Sequence, residues 1–314
     1  MKHIKTLAFF FLFTSLSVVA QRKITIDEIY MGAFRAKGMD ELQSMKTTNQ
    51  YTVLNYDRAT ESMQIDLYDY ATLKKVSTLI DTKEHKELQG IDSYTFSGNE
   101  KNILIANNSE QIFRHSFSAD YYLYNIESKQ LTKLVDYKIQ EPAFSPDGTQ
   151  IAFAKENNLF VYNIASKTAK QITVDGKKNH VINGITDWVY EEEFAFVRAF
   201  DWNKAGDKLA YIKFDESDVP EFSMNIYGKE LYPVTEVFKY PKAGEKNAIV
   251  SLQLYDVKGN STKEIKLGDY TDFYIPRIKW TNDANILSVQ VINRHQDNLD
   301  LLFVDGTTGI TKVV

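Results

Sequence analysis

Hydrophobic and polar residues alternate along most of this chain in short runs with a period of two. Clear examples are residues 51–55, 63–69 and 121–125. Alternation of this kind is typical of β-strands that bury one face. No segment after residue 50 keeps a helical period of 3.6 residues for three turns. The pattern therefore predicts an all-β protein.

Four segments repeat one pattern, in which an aromatic residue is followed by a polar turn and then by an apolar residue. They are Phe96–Ile103, Phe144–Ile151, Trp202–Leu209 and Trp280–Ile286. Each predicts a strand that ends in an aromatic residue, a tight turn and a returning strand. The turn Pro146-Asp147-Gly148 fits this interpretation, since glycine readily accepts a positive φ.

The four aromatic residues are 48, 58 and 78 positions apart. A period of roughly 40 to 50 residues is typical of a β-propeller blade. The longer spacings predict insertions near residues 180–200 and 215–250, and a β-sandwich with four similar hairpins is the alternative. Residues 46–314 are interpreted as a propeller domain of about five to six blades. Since the chain stops at Val314 inside the repeat array, we expect the domain to be truncated.

The beginning of the chain differs from the rest. Lys2 and Lys5 precede a mostly apolar run from Leu7 to Val19, and Ala20 ends a small-residue cleavage pattern. This predicts a signal peptide over residues 1–20 and an exported protein, periplasmic or extracellular. The apolar run is shorter than the roughly 20 residues that span a bilayer. Residues 21–45 read as an irregular or helical lead-in.

Composition excludes some classes of function. Removal of the predicted signal peptide takes away two lysines and changes the formal net charge from −5 to −7, which argues against nucleic acid as a partner. The chain has no Cys, and its five His residues show no metal-ligand spacing. We therefore expect no metal site and no cofactor.

Three consecutive glutamates, Glu191 to Glu193, form the most informative segment. Such a run is usually a solvated face, but Trp188, Tyr190 and Phe194 surround it, so we expect the segment to be packed. Either Thr186 or Asp187 could cap a short helix here. Adjacent helical residues point about 100° apart. Glu192 and Glu193 could therefore flank one ligand while Glu191 turns away.

This acidic segment resembles the signature of a known family. Residues 187–194, Asp-Trp-Val-Tyr-Glu-Glu-Glu-Phe, closely resemble a highly specific motif of the dipeptidyl peptidase IV family of serine exopeptidases. Other segments are similar in the same order: Arg114–Tyr122, Tyr240–Gly244 with Asn247, Arg277–Trp280, and Asn293 with Arg294. The resemblance extends over residues 24–314.

The resemblance implies the fold and the roles of individual residues. In that family an eight-bladed N-terminal propeller covers a C-terminal α/β-hydrolase domain, against which residues 21–45 would pack. Glu192 and Glu193 would bind the free N-terminus of a peptide substrate, and Arg114 would bind a backbone carbonyl. The full protein would remove X-Pro or X-Ala dipeptides and could form a homodimer.

The sequence also departs from a complete enzyme of this family. It contains no G-x-S-x-G motif and no alternation of strands and helices typical of a hydrolase sheet. His115 beside Ser116 is not a catalytic pair, because neighbours on a strand face opposite sides. We expect no catalytic residue in these 314 residues. The alternative is a non-catalytic periplasmic peptide-binding or scaffold propeller.

Overall fold

The computed structural model describes residues 23–36, 38 and 41–314, which divide into two units at Glu41. In the first unit, helix α1 spans Ile26–Tyr30. The Thr25 hydroxyl accepts a hydrogen bond from the Glu28 backbone N–H, and the Glu28 carboxylate accepts one from the Thr25 N–H. This reciprocal pair satisfies two backbone donors at the helix start. The predicted signal peptide lies outside the described residues.

The second unit, Leu42–Val314, consists of antiparallel sheets that follow one another along the chain. Each of the first three is a four-stranded meander, the unit of a propeller blade. A 3₁₀ turn, Thr82–Glu84, follows the first sheet. The strands are, in blade one, β1 (Leu42–Ser44), β2 (Gln50–Asp57), β3 (Ser62–Asp69) and β4 (Lys75–Asp81); in blade two, β5 (Ser93–Phe96), β6 (Asn102–Gln111), β7 (Phe117–Asn125) and β8 (Leu131–Lys133); and in blade three, β9 (Gln140–Phe144), β10 (Gln150–Lys155), β11 (Asn158–Asn163) and β12 (Thr168–Gln171).

Blade four is larger than its neighbours. Its first strand position is shared by two short strands, which pair with different parts of the long strand that follows them. A helix lies between the two short strands in sequence, and a separate two-stranded hairpin follows the long strand. The elements are β13 (Val181–Asn183), α2 (Trp188–Phe194), β14 (Phe200–Trp202), β15 (Lys208–Asp215), the hairpin β16 (Glu221–Ile226) and β17 (Val234–Lys239), β18 (Ile249–Asp256) and β19 (Ser261–Ile265). Blade five comprises β20 (Phe273–Trp280), β21 (Ile286–Asn293), β22 (Leu299–Asp305) and β23 (Thr311–Val313).

In blades two, three and four the second strand is buried on both faces. In β6, residues 103–107 are buried without interruption, and β10 and β15 each contain a similar run. Adjacent sheets pack face to face, so both sides of these strands lie in a core. The fourth strand β12 is exposed along its whole length. This is why the alternation of apolar and polar residues is weakest in the strands nearest the core.

The repeated tryptophans connect neighbouring blades. The Trp202 indole N–H donates to the Ala143 carbonyl of blade three at 3.2 Å. The Trp280 indole N–H donates to the Asp201 carbonyl of blade four at 3.0 Å. Each bond satisfies the indole N–H of a buried ring, which is the usual arrangement for a buried tryptophan.

The predicted fold class is confirmed, since the chain is predominantly β with successive antiparallel sheets of a propeller. The four aromatic repeats are the turns between the first two strands of blades two to five. Gly148 adopts φ +71° in its turn, as the sequence predicted. The first strand begins at Leu42, slightly before the predicted domain boundary. Within the described residues, no helix has the length and apolar character needed to cross a membrane.

Candidate functional site

The acidic segment is an insertion in blade four whose two ends lie next to each other. Ile185 and Arg198 form an isolated antiparallel bridge, and the Thr186 backbone N–H donates to the Val197 carbonyl at 3.0 Å. The chain therefore leaves and re-enters blade four at nearly the same point. The intervening residues, including α2, form a single insertion, part of which packs into the core.

Helix α2 is fixed at both ends. Of the two predicted caps, Asp187 is the N-cap, and its carboxylate accepts the Tyr190 N–H at 2.9 Å. At the other end, Ala195 is left-handed with φ 54°. The Arg277 guanidinium of β20 donates to the Phe194 carbonyl at 2.7 Å and lies 4.9 Å from the centroid of the Phe196 ring. A cation here also complements the negative end of the helix.

Aromatic packing holds the buried side of α2. Tyr190 is 1% exposed, and its hydroxyl accepts the Ile275 N–H at 2.9 Å. Its ring centroid lies 4.8 Å from that of Phe214 and 5.0 Å from that of Phe194. The expectation that the aromatic residues pack this segment is therefore confirmed.

Glu191 is the buried member of the three glutamates. It is 1% exposed, and one carboxylate oxygen accepts the backbone N–H groups of His115 at 2.6 Å and Ser116 at 2.8 Å. Sequence analysis predicted that Glu191 turns away from its neighbours but not that it holds this turn. Sequence analysis placed His115 and Ser116 on a strand. This was wrong, because both residues lie in the β6–β7 turn. Their backbone groups, not their side chains, are engaged.

Glu192 and Arg114 come together at the surface. The Arg114 Nε lies 3.0 Å from a Glu192 carboxylate oxygen, and their side chains are 72% and 15% exposed, respectively. Because Glu191 binds the turn that carries Arg114, it sets the distance between this arginine and α2. Arg114 and Glu192 are 78 positions apart in sequence, and the sequence predicted both as site residues.

Glu193, the next residue of α2, takes no part in this ion pair. Its side chain is exposed. Among the residues that the structure describes, its carboxylate has no hydrogen-bond or ion-pair partner. Helical geometry separates it from Glu192 by about 100°. One face of α2 thus presents one carboxylate paired with arginine and one unpaired carboxylate.

A cavity of about 540 Å³ lies beside the N-terminal end of α2. Trp188 lines it, and the ring centroids of Trp188 and Tyr240 are 4.5 Å apart. Tyr240 opens the proline-containing segment that sequence analysis singled out, and its N–H donates to the Pro220 carbonyl at 3.0 Å. Two segments singled out by the resemblance therefore contact each other beside this cavity.

Two buried carboxyl groups also line the cavity. Burial raises the pKa of Asp187 to about 6. Burial, and secondarily the charge of Asp187, raises the pKa of Glu216 to about 7. Sequence analysis did not single out Glu216 or this cavity. Elsewhere in the described part of the chain, no group of three or more potential metal-ligating side chains occurs.

Comparisons with known proteins agree with this architecture. Residues 97–314 match the family model of the dipeptidyl peptidase IV N-terminal region. The dipeptidyl aminopeptidase B of Saccharomyces cerevisiae is 33% identical over 232 residues, which are 71% of this chain and 28% of the yeast protein. The "Probable dipeptidyl-aminopeptidase B" of Uncinocarpus reesii is 34% identical over 232 residues, 68% of this chain and 25% of that protein. The chain thus spans about a quarter of the length of these relatives.

The solved structures give the same result. The crystal structure of Porphyromonas gingivalis dipeptidyl peptidase 4 superposes with a TM-score of 0.87 at 37% sequence identity. The match covers 94% of this chain and 42% of that one. The propeller blades, the acidic helix and the family match over residues 97–314 lead to one conclusion: this chain belongs to the dipeptidyl peptidase IV family, of which it represents the N-terminal region.

Proposed function

We propose that this chain is the substrate-gripping propeller part of an exported serine dipeptidyl peptidase that removes N-terminal X-Pro or X-Ala dipeptides. Glu192 and Glu193 bind the free α-ammonium group of the peptide, and Arg114 binds a backbone carbonyl near it. The observation that supports this most directly is the pairing of Glu192 with Arg114 at 3.0 Å on a helix that also exposes Glu193.

The charges suit a peptide N-terminus. A peptide ammonium group carries one positive charge and three N–H donors, and each carboxylate can accept one donor with charge assistance. At 4 Å and an effective dielectric constant near 20, one such pair is worth about 4 kcal/mol. Two glutamates and Arg114 together carry a charge of −1, which the ammonium neutralises. A blocked or internal peptide lacks the ammonium, so the site selects chain termini.

Catalysis belongs to a different part of the protein in this scheme. The Ser-Asp-His triad lies on a C-terminal α/β-hydrolase domain, as the resemblance implies, and no G-x-S-x-G motif is present in these 314 residues. The propeller contributes recognition and positioning of the substrate. The basic and apolar pattern of residues 1–20 supports export of the protein to the periplasm or the extracellular space.

We also propose that the full-length protein is a homodimer that uses the β16–β17 hairpin. Tyr227, Leu231 and Tyr232 at its tip are 79%, 88% and 79% exposed. A cluster of large apolar side chains exposed on a protruding element is typical of a protein–protein contact. A second copy of the same hairpin would offer the same apolar surface, as an isologous contact requires.

A non-catalytic peptide-binding or scaffold propeller remains the second candidate. It shares the acidic helix and Arg114 but needs no hydrolase domain. The two candidates predict the same binding and different turnover, so one experiment separates them.

The experiment measures release of a chromophore from a Gly-Pro-linked substrate by this chain alone and by the product of the full reading frame. We expect turnover only by the longer product, and none on an N-acetylated substrate. Peptide binding to both proteins without turnover by either would support the scaffold propeller. If neither protein binds an unblocked Gly-Pro peptide, the assignment of the acidic helix is wrong.

A further inference from the structure

The cavity beside α2 is separate from the paired glutamates. Its walls come from the β6–β7 turn, the loop before β13, the start of α2 and the β16–β17 hairpin. Apolar side chains form much of its lining: Ile112, Phe113, Ile182, Ile185, Trp188 and Phe238. Glu192, Glu193 and Arg114 do not line it. The cavity is therefore not a continuation of the ion pair described above.

The carboxyl group of Glu216 lies at the wall of the cavity and has few hydrogen-bond partners. The residue is 6% exposed, and its own backbone N–H donates to the His180 carbonyl at 2.7 Å, which fixes its position. Its carboxyl lies near the Asn179 backbone N–H, which supplies one donor. An ionised carboxylate has about four acceptor positions. Glu216 lines the cavity, and no further hydrogen bond to its carboxylate occurs among the described residues.

Lys239 does not satisfy Glu216. Its ammonium group donates to the carbonyls of Val219 at 2.8 Å and Ser217 at 3.3 Å, and it lies 3.8 Å from Glu221. The donors of this lysine are thus engaged by the connection between β15 and β16 and by the first residue of β16. Its positive charge stabilises the ionised form of Glu216 only by electrostatic attraction, without a hydrogen bond.

Asp187 is the second carboxyl group on the wall. It is also 6% exposed, and one of its oxygens accepts the Tyr190 N–H. The capping bond leaves its other oxygen with acceptor capacity. The remaining charged or titratable groups near Glu216 or around the cavity are Glu156, Lys177, Lys178, His180, Asp215 and Glu236.

We propose that this cavity is a binding site for a compact organic cation, a primary ammonium or amidinium group attached to an apolar group. The charged end faces Asp187 and Glu216 and donates hydrogen bonds to their free oxygens. The apolar part packs against Trp188, Ile185 and Phe238. Two carboxyl groups and an apolar wall suit such a ligand better than a metal ion, which needs more oxygen ligands.

The protonation of the two carboxyl groups provides a signature of binding. Burial raises the pKa of both groups, to about 6 for Asp187 and about 7 for Glu216, and the charge of Lys239 offsets the rise for Glu216 only in part. A bound cation favours the ionised forms and opposes this shift. Affinity therefore increases from pH 5 to pH 8, and binding at intermediate pH releases protons.

The test uses benzamidine, an amidinium on a phenyl ring, and titration calorimetry on this chain at pH 5 and pH 8. We expect binding at pH 8 and an affinity at least about tenfold weaker at pH 5. Glu216→Gln should weaken binding at pH 8 by about tenfold. Glu230→Gln, which removes an exposed carboxylate from the hairpin tip, should leave it unchanged. Absence of binding at pH 8, or equal affinity at both pH values, overturns the inference.

Two further variants locate the ligand. Ile112→Trp adds bulk at the cavity mouth without changing any charge and should also weaken binding. Glu193→Gln should have no effect on benzamidine but should abolish binding of an unblocked peptide. If Glu193→Gln abolishes benzamidine binding and Glu216→Gln does not, the cation binds at the proposed peptide-terminus site, and the cavity is not a site of its own.

Discussion

At the residue scale, the three consecutive glutamates differ sharply in their surroundings. Glu191 is buried against two backbone N–H groups, Glu192 shares its charge with Arg114, and Glu193 is exposed. Their identical chemistry gives no hint of this difference. Position on the helix alone decides which carboxylate supports the fold and which can meet a ligand.

The first prediction concerns the buried glutamate. Glu191→Ala should lower the free energy of unfolding by about 3 kcal/mol, because it leaves the His115 and Ser116 N–H groups without an acceptor. Urea unfolding followed by circular dichroism measures this. Glu193→Ala is the matched control and should change stability by less than about 0.5 kcal/mol. Equal effects of the two variants would contradict the assigned roles.

The second prediction concerns the exposed glutamate. In the product of the full reading frame, Glu193→Ala should lower kcat/KM for an unblocked X-Pro substrate by roughly 10² to 10³-fold, because the ammonium loses a charged acceptor. Glu127→Ala provides the control, since it removes an exposed glutamate outside both α2 and the hairpin. An unchanged rate for the Glu193 variant would remove this residue from the proposed site.

The third prediction concerns pH. The pKa of Glu216 is raised from 4.5 to about 7, so the folded chain binds more protons than the unfolded chain between these values. Its contribution to stability therefore declines as the pH rises through this window. Glu216→Gln should stabilise the protein by about 2 to 3 kcal/mol more at pH 8 than at pH 5.

Urea unfolding of the parent protein and of the Glu216→Gln variant, each at pH 5 and pH 8, measures this difference in stability. The paired comparison is necessary because other carboxyl groups, such as Asp147 and Asp305, have lowered pKa values. Their contributions are lost as the pH falls, but they cancel between variant and parent. A pH-independent effect of Glu216→Gln would show that its carboxyl group titrates normally.

The sequence predicted part of the site. The motif and its resemblance indicated Glu192, Glu193 and Arg114, and the capping preference included Asp187. The bonds from His115 and Ser116 to Glu191 join residues 76 and 75 positions apart, so no local pattern could indicate them. Glu216 follows an exposed strand end and reads as a surface residue. Its burial depends on how the hairpin folds over the cavity.

At the element scale, the hairpin is the largest addition to the regular blade. Sequence analysis predicted an insertion over residues 215–250 from spacing alone. It did not predict that the apolar residues at the hairpin tip would face solvent, because a turn between two strands usually carries polar residues. The strands β16 and β17 pair with each other over residues 221–226 and 234–239 and form a sheet of their own.

The fourth prediction tests the hairpin as a contact between copies. Analytical ultracentrifugation of the full-length protein should show a dimer. Leu231→Asp should convert the dimer to a monomer, because the new carboxylate would be buried in an apolar contact. Lys258→Asp, an exposed position outside the hairpin, is the control and should leave the dimer intact. A parent protein that is monomeric at every concentration tested would contradict the proposed dimer.

At the scale of the whole molecule, the repeat in the sequence was sufficient to predict the architecture. The spacing of Phe96, Phe144, Trp202 and Trp280 located four successive blades, and the structure places each residue at the end of a first strand. Blade one was not part of the repeat, since the corresponding turn after β1 has no such aromatic residue before it. The number of blades was therefore less well defined than their architecture.

The fifth prediction concerns the bonds between blades. Trp280→Phe should lower the free energy of unfolding by about 2 to 3 kcal/mol, because it removes the donor to Asp201 and part of a buried ring. Trp188→Phe is a matched control, since no hydrogen bond of its indole nitrogen occurs among the described residues, and should cost less than about 1 kcal/mol. Urea unfolding followed by circular dichroism measures both, and similar losses would contradict a special role for Trp280.

The burial of Glu191 has a consequence for how this region can change over evolution. One glutamate of the triplet is committed to the β6–β7 turn, so the helix needs three acidic residues in order to display two. Deletion of any one glutamate would leave a sequence with two acids, yet the turn would still capture one of them. The surface would then offer a single carboxylate, and Arg114 would neutralise it. Point substitutions at Glu192 and Glu193 can therefore be selected for a change of ligand, whereas insertions or deletions within the triplet cannot.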